Sequence, residues 1–153
     1  MSTPARQLYC VLIALVDDTL LLPNAAVIET VGQQGLTVNE AEPLWVAGEL
    51  VWNARALTAV RFETLNRAAA APIPKRSKLV VLHGQGGEAG DAPLALVAQG
   101  YPHLITVSRD AIKQLPLRTT DNPSAVLARV RVGNSEALIP DLDHLRLQIS
   151  ALN

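Results

Sequence analysis

Apolar residues fill nearly every position from Leu8 to Val16, the run breaks at Asp17-Asp18, and apolar residues resume from Thr19 to Leu22. Two such runs around a pair of turn-forming acids predict a β-hairpin whose first strand is covered on both faces. Beyond Pro23, Asn24 is placed to cap a short helical or turn segment, with Val27, Ile28 and Val31 on one side and Gly32 at its end. Residues 33–42 are polar and read as loop. A second strand group follows: Leu44 to Val46, Gly48 to Trp52 and Ala56 to Phe62, with Asn53-Ala54-Arg55 as the turn between the last two. Short strands at this spacing indicate a sandwich or barrel.

The clearest shift in pattern falls at 67–78, where an alanine run, Pro72, Pro74 and the basic residues Lys75, Arg76 and Lys78 interrupt the apolar runs. It is the natural linker between a first lobe at about 8–66 and a second at about 79–150. The second half holds strands at Leu79 to Leu82, Leu94 to Ala98, His103 to Val107 and Val126 to Val132. Gly133-Asn134 turns the last of these into Glu136 to Ile139. Asp141 then caps a closing helix in which Leu142, Leu145, Ile149 and Leu152 fall three or four apart on one side. Neither half repeats the other strictly in sequence. The fold class is therefore mainly β, with two barrel-like lobes and a short C-terminal helix.

Composition narrows what such a fold can do. Of the 153 residues, 49% are hydrophobic and 18% charged, enough apolar side chain to form a core. Aromatics are only 3% and the net charge is −1, so both stacking platforms and the basic footprint of a nucleic-acid binder are missing. The single Cys10 has no partner for a disulfide and lies inside a buried-looking strand, where it reads as a small core residue suited to a reducing compartment. The apolar run at the N-terminus is too short to span a bilayer, and no small-residue cleavage site follows it, so a soluble, intracellular chain is expected.

No reactive constellation emerges. His83, His103 and His144 lie in no nucleophile motif and lack metal-ligand spacing. Asp141, Asp143 and His144 could be imagined as ligands, but acids at the first turn of a helix complement its exposed amides. The loop Gly84-Gln85-Gly86-Gly87 follows a strand but lacks the Lys-Ser/Thr and the helix of a phosphate-binding loop. Trp45 and Trp52 serve equally as core or as interface anchors. The residues thus point to no catalysis, no metal and no cofactor.

The order of motifs resembles the CheW-like family of chemotaxis coupling proteins, and within it the ChpC type of pilus-linked chemosensory clusters. Leu22-Pro23 followed by Val27-Ile28-Glu29 is similar to the family's leucine-proline strand end and its valine-to-glutamate segment. Pro43, Trp45 to Gly48, and Gly48-Glu49-Leu50-Val51-Trp52 resemble the proline-rich approach and glycine-led strand. Gly100-Tyr101-Pro102 and Ala137 to Leu142 resemble the closing segments. The resemblance covers nearly the whole chain and implies two packed five-stranded barrels within one domain, 8–150. It further implies a non-catalytic, cytoplasmic scaffold that couples receptor tips to the regulatory domain of a CheA-type histidine kinase. The chain departs from the family where Arg-Gly, a proline and an acid are usual, holding Asn53-Ala54, Thr58 and Arg61 instead. The partner-binding surface expected is Val27, Ile28 and Glu29 with Trp52, Asn53 and Arg55, the two charges at its rim. The alternative is a small barrel module that binds a peptide or ligand outside chemotaxis through Trp45 or Trp52. A hydrolase around His103 or His144 is a third class.

Overall fold

The computed structural model describes residues 7–41, 43–67, 73–84 and 93–152. The first apolar runs form β1 (Gln7–Ala14) and β2 (Thr19–Pro23), paired antiparallel from Cys10 opposite Pro23 to Ala14 opposite Thr19. A 3-10 turn at Asn24–Ala26 leads into β3 (Val27–Val31), then β4 (Leu36–Val38), β5 (Val46–Trp52), β6 (Arg55–Val60) and helix α1 (Phe62–Arg67). The second half runs through β7 (Lys78–Leu82), β8 (Leu94–Ala98), β9 (His103–Ser108), a 3-10 turn at Arg109–Ala111, β10 (Ile112–Leu115), β11 (Val126–Val132), β12 (Ser135–Pro140) and α2 (Leu142–Ser150).

Two six-stranded sheets result, each with one strand more than the five implied by the resemblance, ordered β4-β5-β6-β8-β7-β3 and β10-β11-β12-β2-β1-β9; the short β4 and β10 at their edges fall where the sequence shows no strand pattern. In each, side chains from both edge strands point into one core, so each sheet is rolled into a barrel. Ile28 and Val31 from β3 and Leu36 from β4 pack on Leu50, Leu57, Leu79 and Val81 in the first. Ile105 and Val107 from β9 and Ile112 from β10 pack on Cys10, Leu21 and Val130 in the second. A third and larger core lies between the barrels, where Ile13, Leu20, Leu22, Phe62, Leu82, Leu96, Leu138 and Leu145 are all at most 2% exposed. Burial of this apolar area is the main force holding the two barrels together.

The sheets do not divide at 67–78. The hairpin β1-β2 from the first half completes the second barrel, and the hairpin β7-β8 from the second half completes the first. The joins are equivalent: β12 runs parallel to β2, β6 runs parallel to β8, β9 pairs with β1 and β3 pairs with β7. Val46, Trp52, Arg55, Val60 and Phe62, which bound β5, β6 and α1, recur at one fixed spacing as Val126, Val132, Ser135, Pro140 and Leu142. Both hairpins carry a bulge at the same point, between Val46 and Gly48 and between Val126 and Ala128. The chain is thus a structural duplication whose leading hairpins are exchanged. Hydrophobic periodicity reports strands but not which strands pair, so a sequence boundary at the linker misplaces the lobes.

Other local expectations are corrected. Val27 to Val31 is a strand, and Pro23 rather than Asn24 precedes the short 3-10 turn, with no side chain capping it. Leu44 and Trp45 form a turn, closed by Val46 N–H donating to Pro43 O at 3.1 Å. Within the polar stretch 33–42, Leu36 to Val38 pairs with β5; Gly48 permits it, because a Cβ there would collide with the Thr37 carbonyl oxygen. Phe62 opens a helix instead of ending a strand. Six residues are too few to display a helical period. Leu145 anchors α2 and Asp141 Oδ1 caps it, accepting from His144 N–H at 3.0 Å, but Leu152 lies past the helix and is 42% exposed. Residues 68–72 of the linker and 85–92 of the glycine-rich loop lie outside the described residues.

Candidate interaction site

The two segments singled out in sequence meet. Trp52 Nε1 donates to Glu29 Oε2 at 2.8 Å, joining the end of β5 to the middle of β3. These strands are far apart in the sheet order, and the contact forms because the rolled sheet brings its two edges round to each other. Val51 N–H donating to Gly35 O at 2.9 Å fastens the same edge. Trp52 is half-buried, its ring packed on the first barrel's core and its N–H turned to the surface. That division suits an indole, which combines a large apolar body with one donor.

Around this bond, Val27 packs on the shared core and Ile28 on the barrel interior, while Glu29 is exposed. Val27 and Ile28 are therefore backing for the face more than free anchors, because packing against core residues removes much of their surface. Asn53 and Ala54 form the two-residue turn with φ of 47° and 61°. A turn with positive φ at both central residues matches the twist of the flanking strands. Asn takes this conformation readily, whereas Ala does so under strain. Opposite Trp52, Arg55 opens β6 with its side chain exposed. Two aliphatic side chains of the neighbouring strands are exposed: Val51, beside Trp52 on β5, at 59%, and Val38, opposite Gly48 on β4, at 50%.

Arg61, the residue just after β6, holds the base of this hairpin. Its Nη1 donates to the carbonyls of Leu44 and Val46 at 2.8 and 3.1 Å. Burial pulls its pKa below the ordinary value, and Glu40 acts against that shift. Trp45 packs on the shared core, which leaves Trp52 as the indole at the surface.

The remaining candidate chemistry resolves into structure. The pair Asp17-Asp18 is a turn: Val16 and Asp17 donate their N–H groups to Glu63 Oε1 and Oε2 at 2.7 and 2.8 Å. Asp143 pairs with Arg146 at 3.0 Å. Among the described residues no group of three or more His, Cys, Asp or Glu side chains could hold a metal ion. Cys10 is buried, and burial pushes its thiol pKa up. In the basic group, Lys78 Nζ sits 5.2 Å from the centroid of the Tyr101 ring, while Lys75 and Arg76 are exposed.

A buried polar cluster that no sequence motif signalled lies at the junction of the halves. Arg129, 3% exposed, donates through Nη2 and Nε to the two oxygens of Asp121 at 2.8 and 3.0 Å, and through Nη1 to Glu136 at 3.0 Å. Asn66 of α1 donates to Asp121 at 3.1 Å, and its Oδ1 accepts from Asn122 N–H at 2.7 Å. Asp18, from the exchanged hairpin, lies 3.9 Å from Arg129. Burial raises the Asp121 pKa, but the hydrogen bonds from Arg129, Arg118 N–H and Asn66, together with the Arg129 charge, outweigh it and hold the group at about 2.

Two interlocked rolled sheets with a tight, exposed hairpin at one edge define a small-barrel fold class. Residues 9–148 match the family model described as the CheW-like domain, and the chain belongs to that family. In solved structures it is similar to the scaffolding protein TtCheW from Thermoanaerobacter tengcongensis, with a TM-score of 0.70 at 15% identity over 93% of this chain and 89% of that one. At that identity the likeness establishes the shared fold. No curated protein matches the chain. No helix among the described residues is long and apolar enough to cross a membrane.

Proposed function

We propose that the protein is a non-catalytic adaptor of a bacterial chemosensory array, coupling the regulatory domain of a CheA-type histidine kinase to chemoreceptor tips in the cytoplasm. Membership of the CheW-like family supports the adaptor class. The observation that carries the choice of surface is the Trp52 to Glu29 hydrogen bond, which makes one face of two distant sequence segments. On this reading Trp52 is the anchor, Glu29 and Arg55 are charged rims, and Asn53-Ala54 sets the hairpin between them. Anchors with a half-buried aromatic body dominate interface energies, while rim charges tune orientation and rate.

The test is Arg55→Glu, an exposed change expected to leave stability within about 0.5 kcal/mol while reversing one contact charge. Affinity for the cognate kinase regulatory domain and for receptor-tip fragments is measured alongside the melting temperature. Weakened binding to either partner with the fold intact supports the site. Unchanged affinity for both removes this turn from it, and wild-type protein that binds neither partner ends the adaptor reading. Assignment to the ChpC type, with output through type IV pili, rests on the order of sequence motifs. A deletion strain defective in swimming but normal in surface twitching would reject that assignment.

A further inference from the structure

We propose that the seam between the two barrels holds one tightly bound water between Arg61 and Thr64. Two buried polar atoms on this seam, Arg61 Nε and Thr64 Oγ1, have no hydrogen-bond partner among the described residues. Thr64 is only 6% exposed, so bulk solvent does not serve its hydroxyl. Both residues line a cavity that also meets Leu15 from the exchanged hairpin, Val97 and Gln99 from β8 and the segment after it, and Glu63. The volume open to the centre of a water molecule is about 20 Å³. A single water needs roughly 10–15 Å³ of such space and two to four polar partners.

The chemistry selects a neutral ligand that both accepts and donates. Arg61 Nε–H can only donate, whereas the Thr64 hydroxyl can do either. Water accepts from the first and donates to the second. An anion is disfavoured because the Glu63 carboxylate lines the same space, and an apolar filling would leave both atoms unpaired, which costs more than a typical hydrogen bond gains.

The sign of one substitution separates a hydrated from a dry seam. Thr64→Val keeps the shape and removes the hydroxyl. In a dry seam it deletes an unsatisfied buried group, and the melting temperature rises. In a hydrated seam it strips a partner from the water, and the expected result is a fall of about 2–4 °C. A rise or no change overturns the proposal. Independently of any variant, the wild-type protein should show a nuclear Overhauser cross-peak between a long-lived water and the Thr64 methyl group, and its absence also overturns the site. A melting temperature that depends on whether chloride or formate is the anion would replace water by an anion and reject the proposal as stated.

Discussion

Arg129 and Asp121 form a buried ion pair, and its environment shapes how the molecule responds to acid. Asp121 is held at about 2, below an ordinary value of 3.8, so it favours the folded state when ionised. The folded value lies below the unfolded one. The stability it supplies is therefore complete above about pH 4 and is lost as pH falls toward about 2. Asp121→Asn should cost about 3 kcal/mol at neutral pH, as when one partner of a buried pair is removed. It should also flatten the stability profile between pH 4 and 2, measured by urea denaturation across that range; a profile as steep as wild type would assign the acid response elsewhere. Trp52→Phe is milder, keeping the ring's packing but losing the exposed bond to Glu29, with an expected cost of about 0.5 kcal/mol. Partner affinity should fall further than stability does if the indole N–H orders the face. The meeting of Arg129 with Asp121 was not legible in sequence, because an arginine between an alanine and a valine and an aspartate in a polar loop give no sign of meeting. Glu29 and Trp52, the pair of the proposed surface, each stand out in sequence, but the bond between them needed the rolled sheet.

The hairpins β5-β6 and β11-β12 show how one design tolerates different turn chemistry. Both connect through two residues; the second places Gly133 at φ 60°, whereas the first holds its counterpart Asn53 at 47° and also forces the next residue, Ala54, to 61°. Glycine adopts that conformation without the clash that an L side chain meets. Ala54→Gly should therefore raise stability by about 1 kcal/mol, read as a melting temperature higher by about 2–4 °C. A fall would mean the turn is not strained. Most elements of this kind were readable from pattern: Val126 to Val132 matches its predicted bounds because apolar residues recur through it and Gly133-Asn134 closes it. Short elements without a continuous apolar run were not. Leu36 to Val38, Ile112 to Leu115 and Phe62 to Arg67 are each six residues or fewer, and a period needs more positions than that to declare itself.

At the scale of the molecule, each barrel borrows a hairpin, so neither half owns a complete core. Leu21, from the first half, lies in the second barrel's interior, and Leu79, from the second half, lies in the first barrel's. Leu21→Ala and Leu79→Ala should each cost about 2–5 kcal/mol. Calorimetry should show each variant unfolding in one transition shifted to lower temperature. A trace split into two steps would show that the barrels unfold independently. This interlock escaped sequence reading because the halves are similar in shape but not in residues, and each hairpin looks as though it belongs to the strands that follow it. The exchange has a consequence for ancestry. A chain equivalent to one half could close its barrel only by trading hairpins with a second copy of itself, as a twofold-symmetric dimer. Joining two such copies end to end makes the trade internal and frees the two barrels to diverge, one keeping Asn53-Ala54 where the other has Gly133-Asn134, so that a symmetric pair becomes a single molecule with two unlike sides.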